Sequence, residues 1–149
     1  MKSKQLGILA FLLLSIESSA QIINLTGKFS GTVVDELNAS RVCDVTFYVD
    51  QADNRIKIAH REYMCPSNDI CPDEFIGDIQ PESESIASVL VGGKKVGYIT
   101  DSFLLVDTPE SQGTLFIQLR PNGKKIDIKE KISKWWVMKG CLTTDGGPC

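Results

Sequence analysis

The sequence predicts an all-β fold: a single-domain antiparallel meander that forms a barrel or sandwich of about eight to nine short strands, stapled by disulfides. Three observations predict it. Apolar residues alternate with polar ones through most of the chain, turn-forming pairs separate the alternating runs, and no long segment has the 3.6-residue period of an amphipathic helix. The chain also has five cysteines, all of which follow a segment typical of a secretion signal, and this predicts the disulfides.

The first twenty residues predict a secretory signal peptide. Lys2 and Lys4 precede an apolar run over residues 6–16, and the small residues Ser18 and Ala20 follow it. This run is too short to span a bilayer, and no second one follows. We therefore expect a secreted or periplasmic protein with no membrane span, in which residues 1–20 are the signal peptide and residues 21–149 form one domain.

Charge is distributed unevenly along the chain. The 16 basic and 19 acidic residues give a formal net charge of −3, and loss of Lys2, Lys4 and Glu17 with the leader would make it −4. An acidic domain is a poor candidate for binding nucleic acid, so we expect none. Residues 69–84 carry six acids and no base, whereas residues 120–139 carry seven bases against two acids.

The first three strands follow from period-two alternation. A first strand is predicted over residues 27–34. The alternation of apolar and polar residues over residues 43–49 predicts the second. A polar turn over residues 51–54 then leads into a third strand. If Val49 faces Ile56 across this hairpin, the apolar residues of both strands share one face.

A long loop is predicted between this hairpin and the rest of the chain. Residues 66–85 are polar, acidic and interrupted by Pro66, Pro72 and Pro81. Within them, residues 74–79 are a candidate for one helical turn. The tail after Cys141 is also predicted to be loop.

Two further hairpins are predicted from their turns. Gly92-Gly93 and Asn122-Gly123 each separate two alternating runs, and both pairs accept the positive φ of tight hairpin turns. In the second hairpin Ile117 then lies opposite Ile128. Residues 102–106 and 132–138 predict the remaining strands, and in the latter Trp135 and Trp136 would point to opposite faces.

The cysteine spacing favours two local disulfides, Cys65 with Cys71 and Cys141 with Cys149, and leaves Cys43 free. Spacing does not fix connectivity, so Cys43 joined to Cys65 or to the C-terminal pair stays open as an alternative. A link between Cys43 and Cys65 would require a bulge after Ile58, because the simple register puts these two cysteines on opposite faces.

The segment Leu25-Thr26-Gly27-Lys28-Phe29-Ser30-Gly31-Thr32 resembles the Gly-x-Trp opening of the calycins, the lipocalin-like barrels, with Phe29 in place of the tryptophan. The resemblance implies an up-and-down barrel with a cup for a small apolar ligand. The run Trp135-Trp136-Val137-Met138-Lys139-Gly140 is similar to the closing strand of small periplasmic lysozyme-inhibitor barrels.

No catalytic or metal signature stands out, so we expect a protein that is not an enzyme and has no cofactor. The predicted register makes Cys43 and His60 neighbours, which could form a thiolate–imidazole dyad but is more typical of core residues. Asp69, Asp73 and Glu74 are a conceivable calcium set, although acids on a surface loop are usually just solvated. No metal site is therefore predicted.

We expect a monomeric binding protein that holds a small apolar ligand inside the β-barrel. The candidate ligand contacts are aromatic: Phe29, Phe47, Tyr98, Phe103 and Trp136. The alternative is a protein-type inhibitor or interaction module whose acidic loop docks on a cationic hydrolase. Its candidate contacts are carboxylates: Asp69, Asp73, Glu74 and Asp78.

Overall fold

A computed structural model describes residues 21–66, 68–108 and 113–149; the predicted leader, residues 1–20, lies outside them. The described chain is all-β, which confirms the predicted fold class, with more strands than predicted. The eleven strands are β1 (Gly27–Asp35), β2 (Asn38–Ala52), β3 (Arg55–Met64), β4 (Asp69–Ile70), β5 (Phe75–Pro81), β6 (Ile86–Val91), β7 (Lys94–Thr100), β8 (Phe103–Thr108), β9 (Gly113–Leu119), β10 (Lys125–Ser133) and β11 (Trp136–Thr143).

The strands form a closed antiparallel barrel. Along the wall each strand pairs with the next one in the chain, and β1 also pairs with β11, so the sheet closes on itself. β4 is the exception, because its two residues extend the edge of β3 while β5 continues the wall. Between the predicted alternatives of barrel and sandwich, the structure is a barrel.

The barrel interior is filled by the apolar half of each alternating strand. In β9 and β10, Ile117 faces Ile128 and Leu119 faces Ile126, which confirms the predicted register. Ile117 is fully buried and Ile128 nearly so. The connection between these strands contains Asn122 and Gly123 at its centre, as predicted, but φ is positive at Gly123 and not at Asn122, so the predicted positive φ at both positions is wrong.

The register of the hairpin formed by β2 and β3 differs from the predicted one. Asp53 and Asn54 form a two-residue turn with φ of 53° and 58°, a conformation these residue types tolerate better than most. This turn is tighter than the predicted one over residues 51–54. Val49 therefore faces Ile58 rather than Ile56, and a shift of two residues keeps the same side chains inside.

A β-bulge interrupts the same hairpin. Thr46 pairs with Glu62 and Tyr48 pairs with Ala59, so two residues of β3 oppose one residue of β2. The extra residue reverses which side chains of β3 point inward beyond this point. The end of β3 is thereby turned so that Cys65 faces Cys43.

These two cysteines form a disulfide, and the predicted bridge between Cys65 and Cys71 is therefore wrong. The bulge that such a link requires is present. Cys71 is instead the free, exposed cysteine, and Cys43 has no thiol for a dyad with His60. The predicted disulfide between Cys141 and Cys149 is confirmed.

The prediction that residues 66–85 form one long loop is wrong, because they contain β4 and β5. Phe75, Gly77 and Ile79 alternate into the core, so residues 74–79 are not a helical turn either. Gly77 is needed there because a Cβ would meet Cγ1 of Val89 at 2.6 Å. The missing side chain at this position hides the period-two pattern from sequence inspection.

The predicted strand over residues 132–138 is divided by a turn. Lys134 and Trp135 connect β10 to β11, and Trp135 is 67% exposed. Trp136 begins β11 and is half-buried against the core. The two indoles therefore differ because one lies in a turn and not because they face opposite sides of one strand.

Residues 21–26 cover one end of the barrel. The Ile23 N–H donates to the Thr100 carbonyl, and the Leu25 N–H donates to Oε1 of Gln51, each within 2.9 Å. The side chains of Ile23 and Leu25, which belong to this segment, are buried. We call this the covered end; the hairpin turns at residues 36–37 and 134–135 lie at the opposite end.

Candidate functional site

A gap in the hydrogen-bond ladder beside β3 opens a cleft in the barrel wall. β3 pairs with β5 through Arg55 to Ile58 and with β4 through Tyr63 and Met64. Between these contacts, residues 59–62 face the connection over residues 71–74 without ladder pairing to it. The cleft has a volume of about 470 Å³ and is lined by Ala59, Arg61, Glu62, Cys71, Pro72, Asp73 and Glu74.

The inner wall of this cleft includes a buried arginine. The bulge in β3 brings Arg61 and Tyr63 inward, where their carboxylate partner Glu130 projects from β10 on the other side of the core. Nε of Arg61 donates to Oε1 of Glu130 at 2.9 Å, and the Tyr63 hydroxyl donates to Oε2 at 2.5 Å. The three residues are 2%, 0% and 1% exposed.

One nitrogen of this cluster has no partner. Nη1 of Arg61 is buried without a hydrogen bond, although Nε of the same guanidinium is paired. An unsatisfied charged donor is costly in a low-dielectric interior. Arg61 thus lines the cleft, and the hydrogen-bond donors of its Nη1, which is closed to solvent, are unused.

Burial in this cluster raises the pKa values of Glu130 and Tyr63. Burial raises the pKa of Glu130 above its ordinary value of 4.5 and outweighs the Arg61 charge and the hydrogen bonds, which lower it. Burial, with the neighbouring Glu130 charge, also raises the pKa of the Tyr63 hydroxyl well above 10.0. Glu130 is therefore held less firmly as a carboxylate than an exposed glutamate would be.

The outer rim of the cleft is acidic. Glu62, Asp73 and Glu74 line it, and Glu74 forms an ion pair with Lys57 at 2.8 Å between Nζ and Oε1. Cys71 also lines the rim and carries the free thiol. The cleft therefore has one buried guanidinium, paired with Glu130, on its inner wall and three carboxylates on its rim.

The five predicted ligand contacts are not brought together. Phe29 and Phe47 are 2% and 0% exposed and belong to the packed core. Tyr98 and Phe103 lie on the outer face of the barrel, where the centroids of their rings are 5.8 Å apart. Trp136 lies under the guanidinium of Arg41, which is 3.5 Å from the ring centre.

The four predicted acidic contacts lie along one side of the barrel. Asp69 is in β4, Asp73 and Glu74 line the cleft, and Asp78 is opposite Arg55 in the ladder. Glu74 and Asp78 thus have basic neighbours. In the described parts of the chain no group of His, Cys, Asp and Glu residues could hold a metal ion.

Sequence inspection missed Arg61, Tyr63 and Glu130. The signal for Glu130 is visible, since it occupies an inward position of the run Ile126, Ile128, Glu130. The sequence contains no such signal for Arg61, because the alternation of apolar and polar residues does not show the bulge that turns this side chain inward. Its pairing with Glu130, 69 residues away, is set only by barrel closure.

A scan against protein-family models and searches of curated proteins and of solved structures each returned no significant match to the chain. Within residues 21–66, 68–108 and 113–149, no helix is long and apolar enough to cross a membrane.

Proposed function

We propose that this protein is a non-enzymatic binding protein that holds a small ligand in the cleft beside β3, with Arg61 as its anchor. The observation that carries the proposal is the buried guanidinium of Arg61, whose Nη1 has no partner although the residue lines a cleft of about 470 Å³. A cleft of this size is in the range that small ligands occupy. This site takes the place of the barrel interior expected from the sequence, because the core side chains there are packed.

The residues of the cleft define the chemical class of the ligand. The free Nη1 of Arg61 calls for a carboxylate or a similar acceptor. Glu62 and Asp73 on the rim favour a positive group at the other end, while Ala59 and Pro72 offer apolar contact. The ligand we propose is therefore a small dipolar molecule with an apolar part, such as a short peptide.

The compartment is part of the same proposal. Residues 1–20 have the composition of a signal peptide, and two disulfides join Cys43 to Cys65 and Cys141 to Cys149. Disulfides persist in oxidising compartments. A secreted or periplasmic binding protein accounts for both features.

Calorimetry with a dipeptide and two derivatives tests the proposal. Glycyl-phenylalanine carries both charges, its C-terminal amide lacks the carboxylate, and its N-acetyl form lacks the ammonium group. We expect the dipeptide to bind and each derivative to bind about tenfold more weakly or worse, as for the loss of a charged hydrogen bond. Absence of binding by all three, or equal binding by all three, would overturn the proposal.

A matched set of variants connects the binding to Arg61. Arg61→Gln alone leaves Glu130 buried without its cation, so the double variant Arg61→Gln/Glu130→Gln is the one to use. It should lose the preference for the dipeptide over its amide. Arg55→Gln, an exposed change at the start of the same strand, should retain that preference.

A further inference from the structure

Two large apolar side chains are exposed at adjacent hairpin tips. Leu37, in the turn between β1 and β2, is 59% exposed, and Trp135, between β10 and β11, is 67% exposed. β1 and β11 are neighbours in the barrel wall, and the Glu36 N–H donates to the Val137 carbonyl at 2.7 Å just below the tips. The two apolar side chains therefore form one protruding feature, which we call the apolar tip.

Lysines surround the apolar tip. Lys134 lies next to Trp135 with its Nζ 4.9 Å from the ring centre, and Lys131 is exposed on β10. Lys129 and Lys139 face each other directly across the β10–β11 ladder. Like charges in that position repel, and Glu36 bridges both of them at 3.0 and 3.4 Å.

The charge of this region is opposite to that of the whole protein. In the described part of the chain, the acids of these two hairpin tips are Glu36, which is exposed, and Asp35, which is buried and paired with Arg41. The four lysines thus leave a positive ring on a chain whose net charge is −3. The combination of a basic ring with an exposed tryptophan and leucine is typical of surfaces that dock at a lipid headgroup layer.

We propose that the apolar tip docks the protein on an anionic membrane surface. Trp135 and Leu37 enter the headgroup region, and Lys129, Lys131, Lys134 and Lys139 contact acidic headgroups. This surface lies on β1, β10 and β11, whereas the lining residues of the ligand cleft lie on β3 and residues 71–74. The inference is therefore independent of the proposed ligand site.

Co-sedimentation with vesicles tests this docking. We expect the protein to sediment with phosphatidylcholine vesicles containing about 30% phosphatidylserine and to stay in solution with phosphatidylcholine alone. Binding should fall steeply as salt is added, because the attraction to the acidic headgroups is screened. The tryptophan fluorescence of the protein should shift to shorter wavelength as the exposed Trp135 ring leaves water.

Two variants separate the parts of the surface. Leu37→Ser/Trp135→Ser removes the apolar tip, and Lys131→Glu/Lys134→Glu reverses two charges of the ring; each should weaken vesicle binding about tenfold or more. The matched controls are Ile76→Ser/Ile86→Ser, which removes exposed apolar side chains elsewhere, and Lys28→Glu/Lys124→Glu, near the covered end. Both controls should bind as the unaltered protein does.

The proposal is overturned if the unaltered protein binds neither vesicle, or if the tip variant binds acidic vesicles as well as the control variant does. Equal binding to neutral and acidic vesicles would also overturn it, because the lysines would then have no part. Binding to soluble polyglutamate without binding to vesicles would assign the surface to an acidic protein instead.

Discussion

Arg61 and Glu130 form a buried ion pair in a barrel whose core is mostly apolar. Removing two charges from water is expensive, and their mutual attraction offsets that cost only where the remaining polar atoms are also satisfied. Tyr63 satisfies the second oxygen of Glu130, but Nη1 of Arg61 has no acceptor. The pair is therefore a weak contributor to stability, which fits a role in binding better than a role in folding.

The first prediction concerns the loss in free energy of unfolding when this ion pair is broken. Glu130→Gln leaves Arg61 as a buried cation and should lower the free energy of unfolding by about 3–5 kcal/mol. Arg61→Met/Glu130→Gln removes both charges and should recover much of that loss. Urea titration of the two variants measures the difference, and equal losses would mean that the unpaired Arg61 cation is not what destabilises Glu130→Gln.

The raised pKa of Glu130 gives the second prediction. The folded state binds this proton more tightly than the unfolded chain does, so the free energy of unfolding should fall as pH rises from 4.5 through the raised pKa. Glu36, Glu82 and Asp145 have lowered pKa values and act the other way, because the stability they contribute is lost as pH falls through those values.

The two effects occupy different pH windows and can be separated. Chemical denaturation measured across the acidic range should show the fall above pH 4.5 in the unaltered protein and not in Glu130→Gln. Both proteins should lose stability at lower pH. An identical profile for the two proteins above pH 4.5 would show that Glu130 does not titrate differently in the fold.

Among the elements, period-two alternation predicted the register of the β9–β10 hairpin, which pairs without a bulge, but it failed for β5, which also pairs without one. The hairpin of β9 and β10 has the predicted register because Leu119, Ile117 and their partners alternate without interruption. The hairpin of β2 and β3 does not, because one extra residue in β3 reverses which side chains face inward. Local periodicity contains no information about such an insertion.

The side cleft was hidden from sequence for the same reason. It depends on the bulge, on the short pairing of β4, and on β5, whose pattern is obscured by Gly77 and by flanking prolines. Each of these is set by long-range pairing in the closed barrel. Asp73 and Glu74 of the rim were predicted to be functional, but Glu62 and the buried Arg61 were not.

The β9–β10 register gives the third prediction. Ile117→Ala should lower the free energy of unfolding by about 2–5 kcal/mol, because the side chain is fully buried and its removal leaves a cavity. Gln118→Ala, on the exposed face of the same strand, should change it by about 0.5 kcal/mol or less. Equal effects at the two positions would contradict the burial pattern.

Charge is segregated over the surface of the barrel. Lysines are concentrated on β10 and β11 around the apolar tip, while acids border β4, β5 and the cleft. Of the predicted acidic contacts, Glu74 pairs with Lys57 and Asp78 faces Arg55, which weakens their field. Asp69 and Asp73 are the exposed acids left to steer a cationic partner.

The alternative function, docking on a cationic hydrolase, therefore gives the fourth prediction. Asp69→Lys/Asp73→Lys should slow association with a basic protein such as lysozyme at low salt, because the summed surface field accelerates encounter. The difference should vanish at high salt. Stopped-flow association rates measure it, and an unchanged rate at low salt would remove this alternative.

The proposed site is the cleft lined by Arg61, occupied by a small dipolar ligand. Cys71 reports on it directly, because its free thiol lines that cleft. The measurement is the rate of Cys71 alkylation by iodoacetamide, followed by mass spectrometry, with and without saturating glycyl-phenylalanine. We predict that the dipeptide slows alkylation several-fold in the unaltered protein and not in Arg61→Gln/Glu130→Gln; an unchanged rate in the unaltered protein at saturation would contradict the claim.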